Sequence, residues 1–366
     1  MRLFILHRVH GAPSYLAPGD VPSFGAQSYV RDAGKYDGAL GVLVGISAIE
    51  ALNSTGERLP FAVEVVGFGD EEGVRFQSTF LGSRALAGTF DTAVLEALDE
   101  DGTSLRKALS AFGLDPQAYL TARYQADDVL GYLEIHIEQG PVLDNAGLAL
   151  GAVTSISGQT RLRVALAGEA GHAGTVPMNL RPDALAGAAA VIQLVEHRCA
   201  HTPGLVGTVG VLNVEPGAIN VIPGRTDLTI DVRAPDDAVR EEAVQDIIAG
   251  IRAIAENRAL LLNIERFYDQ PCCECDQELS DYLVQAMVVN GHDEKRLPSG
   301  AGHDAMAMAM AMAMAMADLT AVAMLFVRCK DGISHNAKES MTGEDAASAT
   351  AVVVAFLRGL EALQRY

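Results

Sequence analysis

Apolar and polar positions follow one rhythm in the first part of this chain and a different one in the middle. "FAVEVVGFGDEEG" (Phe61 to Gly73) is an apolar run closed by a polar, glycine-bounded loop, the pattern of a buried strand. "GYLEIHIEQGP" (Gly131 to Pro141) alternates with a period of two and stops at Gly-Pro, which predicts a second strand. Between them, "DTAVLEALDEDGTSLRKALSAFG" predicts two short helices around a turn at Asp101-Gly102. Strands alternating with helices predict an α/β architecture, where ligands sit at the carboxyl ends of strands.

From about Ser157 the texture changes. "GQTRLRVALAGEAG" reads as a strand with one wet face, and "RPDALAGAAAVIQLVEHRC" as an amphipathic helix opened by Arg-Pro-Asp. "GLVGTVGVLNVEPG" and "TDLTIDVRAPD" are further strands, and "DAVREEAVQDIIAGIRAIAENRA" is a second helix. This order predicts a compact α+β module with a four-stranded sheet over residues 158–270. It is inserted into a larger domain made of residues 1–157 and 271–366. The closing "AASATAVVVAFLRGLEAL" carries an apolar stripe at helical spacing and is expected in the core.

"MAMAMAMAMAMA" (Met306 to Ala317) has a two-residue repeat, yet Ala and Met are both strong helix formers, so a helix is expected. Met306, Met310 and Met314 would share a face. Copper binding there lacks the His or Cys that such sites usually include, and an expanded helix is the favoured reading.

The 366-residue length fits about two domains, and a core of that size needs no disulfides. Five cysteines, three of them crowded into "PCCECD" (Cys272, Cys273, Cys275), read as reduced thiols. A formal net charge of -20 argues against nucleic acid or an anionic membrane as a partner. No apolar run is long enough to span a bilayer, and the patch in "MRLFILHRVHG" is too short for a signal-peptide core, so a cytoplasmic location is expected.

Several chemistry-bearing residues fall in glycine-rich loops: Asp37 in "GKYDGALG", Glu71 and Glu72 in "GDEEGVRF", His303 in "SGAGHDA" and His335 in "DGISHNAKE". His136 lies in "EIHIEQG". Each is weak alone. Together, histidines with an Asp and a Glu near strand ends suit zinc or manganese. The Glu71-Glu72 pair adds a division of labour, in which one carboxylate ligates the ion and its neighbour takes a proton from water.

The segments "AGKYDGALGV", "DEEGVRF…FLGSRALAG", "EIHIEQGPVL", "GHAGTVPMNLRPDAL", "PGAINVIPG…DLTIDVRAPDD", "SGAGHDAMAMA" and "MLFVRCKDGISHNAKE" occur in that order. Together they resemble the dinuclear-metal amidohydrolases of the hydantoinase/carbamoylase group within the M20 metallopeptidases. The similarity runs from about Asp32 to the C-terminus. It implies a metal-dependent exopeptidase-like catalytic domain with an inserted α+β, ferredoxin-like dimerisation lid. It also implies two divalent ions, zinc or manganese, and a homodimer acting on a small ureido or carbamoyl acid.

Placed on this chain, the resemblance makes Asp37 the ligand bridging both ions, Glu72 and His335 ligands of one ion, and His136 a ligand of the other. Glu71 becomes the general base. His172 would reach into the partner subunit's site and polarise the substrate carbonyl. Asn220 and Arg233 would hold the substrate carboxylate, for which an Arg fork is suited. Gln139 and His303 would be further residues contacting the substrate at the reacting centre.

Two stretches depart from the family pattern. The family's His-x-Asp pair upstream of the bridging aspartate falls on Ala26 and Ser28, neither of which binds a divalent ion tightly. The N-terminal part of the catalytic domain therefore reads as lost or replaced, with His7 and His10 as weak substitutes. The Met-Ala run is longer than in relatives. Allantoate is the favoured substrate, an N-carbamoyl-L-amino acid the next, and a degenerate homologue with one ion the alternative from another class. Arg233 and Asn220 disfavour an aminopeptidase.

Overall fold

A computed structural model of the chain describes residues 4–7, 34–69, 71–124, 129–314 and 320–363. Ala26, Ser28 and His10 lie outside these residues, and so does the side chain of His7. In chain order the first elements are β1 (Phe4–His7), α1 (Ala39–Ser54), β2 (Ala62–Val65), α2 (Leu81–Ala87), α3 (Leu105–Ala111) and α4 (Tyr119–Ala122). Next come β3 (Val129–Ile137), α5 (Val142–Ala146), β4 (Leu150–Ile156), β5 (Gly158–Ala167), β6 (Gly171–His172) and α6 (Ala184–Ala200). They are followed by β7 (Val206–Glu215), β8 (Val221–Ile222), β9 (Arg225–Ala234), α7 (Asp237–Asn257), β10 (Leu261–Gln270) and β11 (Cys273–Glu274). The last are α8 (Gln277–Val289), β12 (Arg296–Ser299), α9 (Asp304–Met314), β13 (Val322–Val327) and α10 (Gly343–Leu363).

The chain divides into two compact units, one formed by Met1–Thr154 with Glu274–Tyr366 and the other by Ser155–Cys273. In the first, a mixed sheet runs in the order β11-β4-β13-β3-β1-β2, with β12 also paired to β4. β3 and β13 are parallel, with Phe326 opposite His136. β1 pairs antiparallel with both β2 and β3, so the divergent N-terminus itself supplies a strand to this sheet.

β3 is buried on both faces, and its period of two sorts the residues. Leu133, Ile135 and Ile137 join Leu325 and Val327 of β13 in a core with Leu40 and Val44 of α1, Met287 of α8 and Phe356 of α10. Each such side chain contributes roughly 1.5–3 kcal/mol by leaving water. The alternate residues Tyr132, Glu134 and His136 are equally buried on the opposite side. α9, the Met-Ala helix, packs on β3 and β13 with α2 against it. The helical expectation holds as far as Met314, and residues 315–317 lie outside the described residues. Met306 and Met308 are buried, which makes them packing groups.

The second unit is an antiparallel sheet in the order β10-β5-β9-β7 carrying α6 and α7. Leu162, Val164, Leu166, Leu228, Ile230 and Val232 alternate onto the helices, meeting Val191 and Val195 of α6 and Val244, Ile247 and Ile251 of α7. Asp183 and Asp236 cap these helices: Asp183 accepts from Ala186 N at 3.0 Å, and Asp236 from Ala238 N at 2.7 Å. β10 has no strand signature in the sequence, because as an edge strand it is not deeply buried on either face.

Candidate metal centre

Asp37 sits immediately before α1, and the turn that presents it needs a glycine. Gly38, at the N-cap of α1, has φ 71°, a left-handed conformation that a side chain disfavours. The Asp37 side chain is buried. His136 arrives from the polar face of β3, near its carboxyl end. His335 arrives from the loop after β13, itself at φ 53°, and Gln139 follows β3 at φ 56°. Two non-glycine residues in left-handed conformation on facing loops are the kind of backbone strain that a functional site holds in place.

Each oxygen of Asp37 faces a different imidazole. Oδ1 lies 3.0 Å from His136 Nε2, and Oδ2 lies 3.2 Å from His335 Nε2. His335 Nε2 is also 3.4 Å from Glu72 Oε1. Gln139 Nε2 donates to Asp37 Oδ2 at 3.3 Å and lies 3.2 Å from His335 Nε2. One ligand atom each from Asp37, Glu72 and His335 lies within 4.8 Å of the others.

The donor chemistry fits a divalent cation. His136 Nδ1 lies 2.7 Å from the Ile137 carbonyl, so it carries the proton and turns Nε2 towards Asp37. A bare nitrogen lone pair beside a carboxylate oxygen calls for positive charge between them, a proton or a metal. His335 Nε2 faces two carboxylates instead, and its bonds to Asp37 and Glu72 push its pKa up to about 10. Two carboxylates and two imidazoles form a set suited to zinc or manganese. Glu71, the neighbour of Glu72, is buried.

His303 is close, but it is not at a surface. Its ring lies edge-on to His136 at a centroid distance of 4.8 Å, and its exposure is 0%. Nε2 lies 2.6 Å from Ser299 Oγ, and Nδ1 lies 3.5 Å from Glu134 Oε1. Glu134 also accepts from the Ala305 amide at 2.9 Å, and Ser83 of α2 donates to Asp304 at 2.6 Å. The ring is fully buried and stands directly behind His136.

The three residues assigned to the inserted module lie in the second unit. His172 on β6 is opposite Val221 of β8, and Asn220 O accepts from Ala173 N at 3.0 Å, so the His172 and Asn220 loops are neighbours. Both residues are exposed. Arg233 lies on the open face of the sheet and grips Asp231 with Nε at 2.9 Å and a terminal nitrogen at 3.2 Å. Burial pushes the Asp231 carboxyl up, but Arg233 and Arg161 outweigh it and hold that group below its ordinary range. A ligand carboxylate at Arg233 therefore competes with an internal one.

The sequence motifs gave no role to Glu339 or Ser334. Glu339 is buried and accepts from the backbone of Asp37, and Ser334 bonds both Glu339 and Gln139. Their only signal is position, within five residues of His335.

Residues 23–359 match the family model described as "Peptidase family M20/M25/M40". The chain belongs to that family, in its hydantoinase/carbamoylase group. Among M20 relatives, it is 42% identical to an allantoate deiminase of Arabidopsis thaliana, with 90% of this chain and 67% of that one covered. It is 39% identical to an N-carbamoyl-L-amino acid amidohydrolase of Geobacillus stearothermophilus, covering 87% and 76%. The fold is similar to the crystal structure of an amidase of the hydantoinase/carbamoylase family from Burkholderia multivorans. There the TM-score is 0.79 and the identity 32%, over 90% of this chain and 78% of that one. Among the described residues no helix is long and apolar enough to cross a membrane.

Proposed function

We propose that this M20 chain is a metal-dependent amidohydrolase that cleaves the ureido or carbamoyl C–N bond of a small carboxylate, with allantoate as the favoured substrate. The observation that carries this reading is Asp37, whose two oxygens face the imidazoles of His136 and His335. The relatives named for allantoate and for N-carbamoyl amino acids support the reaction class.

On this reading Asp37, Glu72, His136 and His335 hold the metal. When bound, divalent ions supply Lewis-acid polarisation of the substrate carbonyl and acidify water. Glu71 is the proton carrier, accepting a proton from the attacking water and delivering it to the departing nitrogen. Gln139, hydrogen-bonded to Asp37, fixes the carboxylate in the orientation that serves both imidazoles. The inserted module is the dimerising lid, in which Asn220 and Arg233 orient the substrate carboxylate. His172 serves the partner subunit's site.

The test is ammonia release from allantoate beside N-carbamoyl-L-amino acids, and free amino-acid release from dipeptides, using the purified chain with added manganese or zinc. Turnover of allantoate, none of dipeptides, and two ions per subunit are expected. Preference for the carbamoyl amino acid would move the substrate to the runner-up. One bound ion with no turnover would favour the degenerate homologue suggested by Ala26 and Ser28. For the active-site assignment, Glu71→Gln should lower kcat by at least 100-fold, the lower end of general acid–base contributions (about 10²–10⁴), with metal content unchanged.

A further inference from the structure

Glu339 joins two ligand-bearing loops that are remote in sequence. Its Oε1 accepts from the backbone amides of Tyr36 at 2.8 Å and Asp37 at 3.0 Å. Its Oε2 accepts from Ser334 Oγ at 3.1 Å, next to His335. The loop that carries it is closed by its own bonds, Glu339 N to Asn336 O at 3.0 Å and Lys330 N to Ser340 O at 2.8 Å. The carboxylate is buried at 3% exposure. Space for it is reserved by Gly34, where an added Cβ would stand 1.9 Å from Glu339 Cδ.

We propose that Glu339 is a positioning residue, a clamp that sets the separation of Asp37 and His335 and so tunes the affinity of the metal centre, with Gly34 kept free of a side chain to admit it. The inference rests on the metal-site reading above. One carboxylate oxygen fixes the backbone of the Asp37 loop and the other fixes the residue before His335, so any movement of either loop is felt by both ligands. Groups that orient ligands in this way are worth about 10- to 100-fold in metal affinity.

The experiment measures the dissociation constant for zinc by chelator competition on the full chain. A thermal melt of each metal-free variant confirms folding. Glu339→Gln keeps all three bonds, because the amide oxygen accepts from both N–H groups and the amide nitrogen donates to Ser334. It should stay within about threefold of the parent, against the 10- to 100-fold expected of a lost orienting group. Glu339→Asp keeps the charge but is one methylene too short to span the loops. It should bind zinc about 10- to 100-fold more weakly. Gly34→Ala leaves every ligand and Glu339 itself in the chain and should weaken zinc by a similar factor, which preserves the test if Glu339→Asp does not fold. Parent-like affinity in Glu339→Asp and Gly34→Ala, or a loss in Glu339→Gln equal to that in Glu339→Asp, would overturn the clamp. Asp37→Ala separates the two failures: if it too binds zinc like the parent, the metal-site reading is what has failed.

Discussion

At the scale of single residues, the site is governed by how buried groups share charge. Asp37 is almost fully enclosed, and each of its oxygens faces an imidazole nitrogen, so its charge is compensated only when a proton or a metal ion sits in those contacts. Cys329, on the loop that leads to His335, shows the opposite case. Burial first, and then the nearby Glu339 carboxylate, push its thiol up to about 11. Its Sγ donates to Ile333 O at 2.7 Å, a bond that only the protonated form makes. The native chain should therefore leave Cys329 unmodified by iodoacetamide at pH 8 and expose it only on unfolding, as peptide mapping would read out. Because the folded pKa is raised, this thiol's contribution to stability is complete below the ordinary thiol range and fades as pH climbs towards 11. Loss of Cys329→Val stability relative to the parent should accordingly shrink across that window.

At the scale of elements, local sequence decided a great deal. α6, α7 and α8 each follow an Asp that caps them, with Asp183, Asp236 and Asp276 each accepting from the first turn of their helix. Asp236 takes two amides, Ala238 N and Val239 N. Asp236→Ala should cost about 1 kcal/mol in a denaturant titration, and a change indistinguishable from zero would show the cap to be replaced by water. The alternation of "LEIHI" was also sufficient to place Glu134 and His136 on one face of β3. What alternation could not show is that this second face is buried as well. That depends on α9 packing over it, and the consequence is that His303, which the motifs suggested for the substrate, lies fully inside.

At the scale of the whole molecule, the two units have separate cores, and the second closes its own. Leu162, Ile230, Val191 and Ile247 belong to one continuous cluster drawn entirely from residues 155–273. A fragment of residues 155–273 should therefore unfold cooperatively by circular dichroism. A non-cooperative melt would show that this core needs the rest of the chain.

The sequence alone determined the types of the strongly periodic elements, the residues on each face of β3 and the inventory of candidate ligands, because those follow from contacts within a turn of helix or from a period of two; edge strands such as β10 carried no such signal. The order of the motifs was enough to suggest the family. Only tertiary structure decided how the ligands meet. Glu339 holds the amide of Asp37 across 302 positions of sequence, and Gln139 bonds Asp37 across 102. No local periodicity encodes such pairings. They arise when β3, β13 and α1 come together in one core and bring their terminal loops into hydrogen-bonding range.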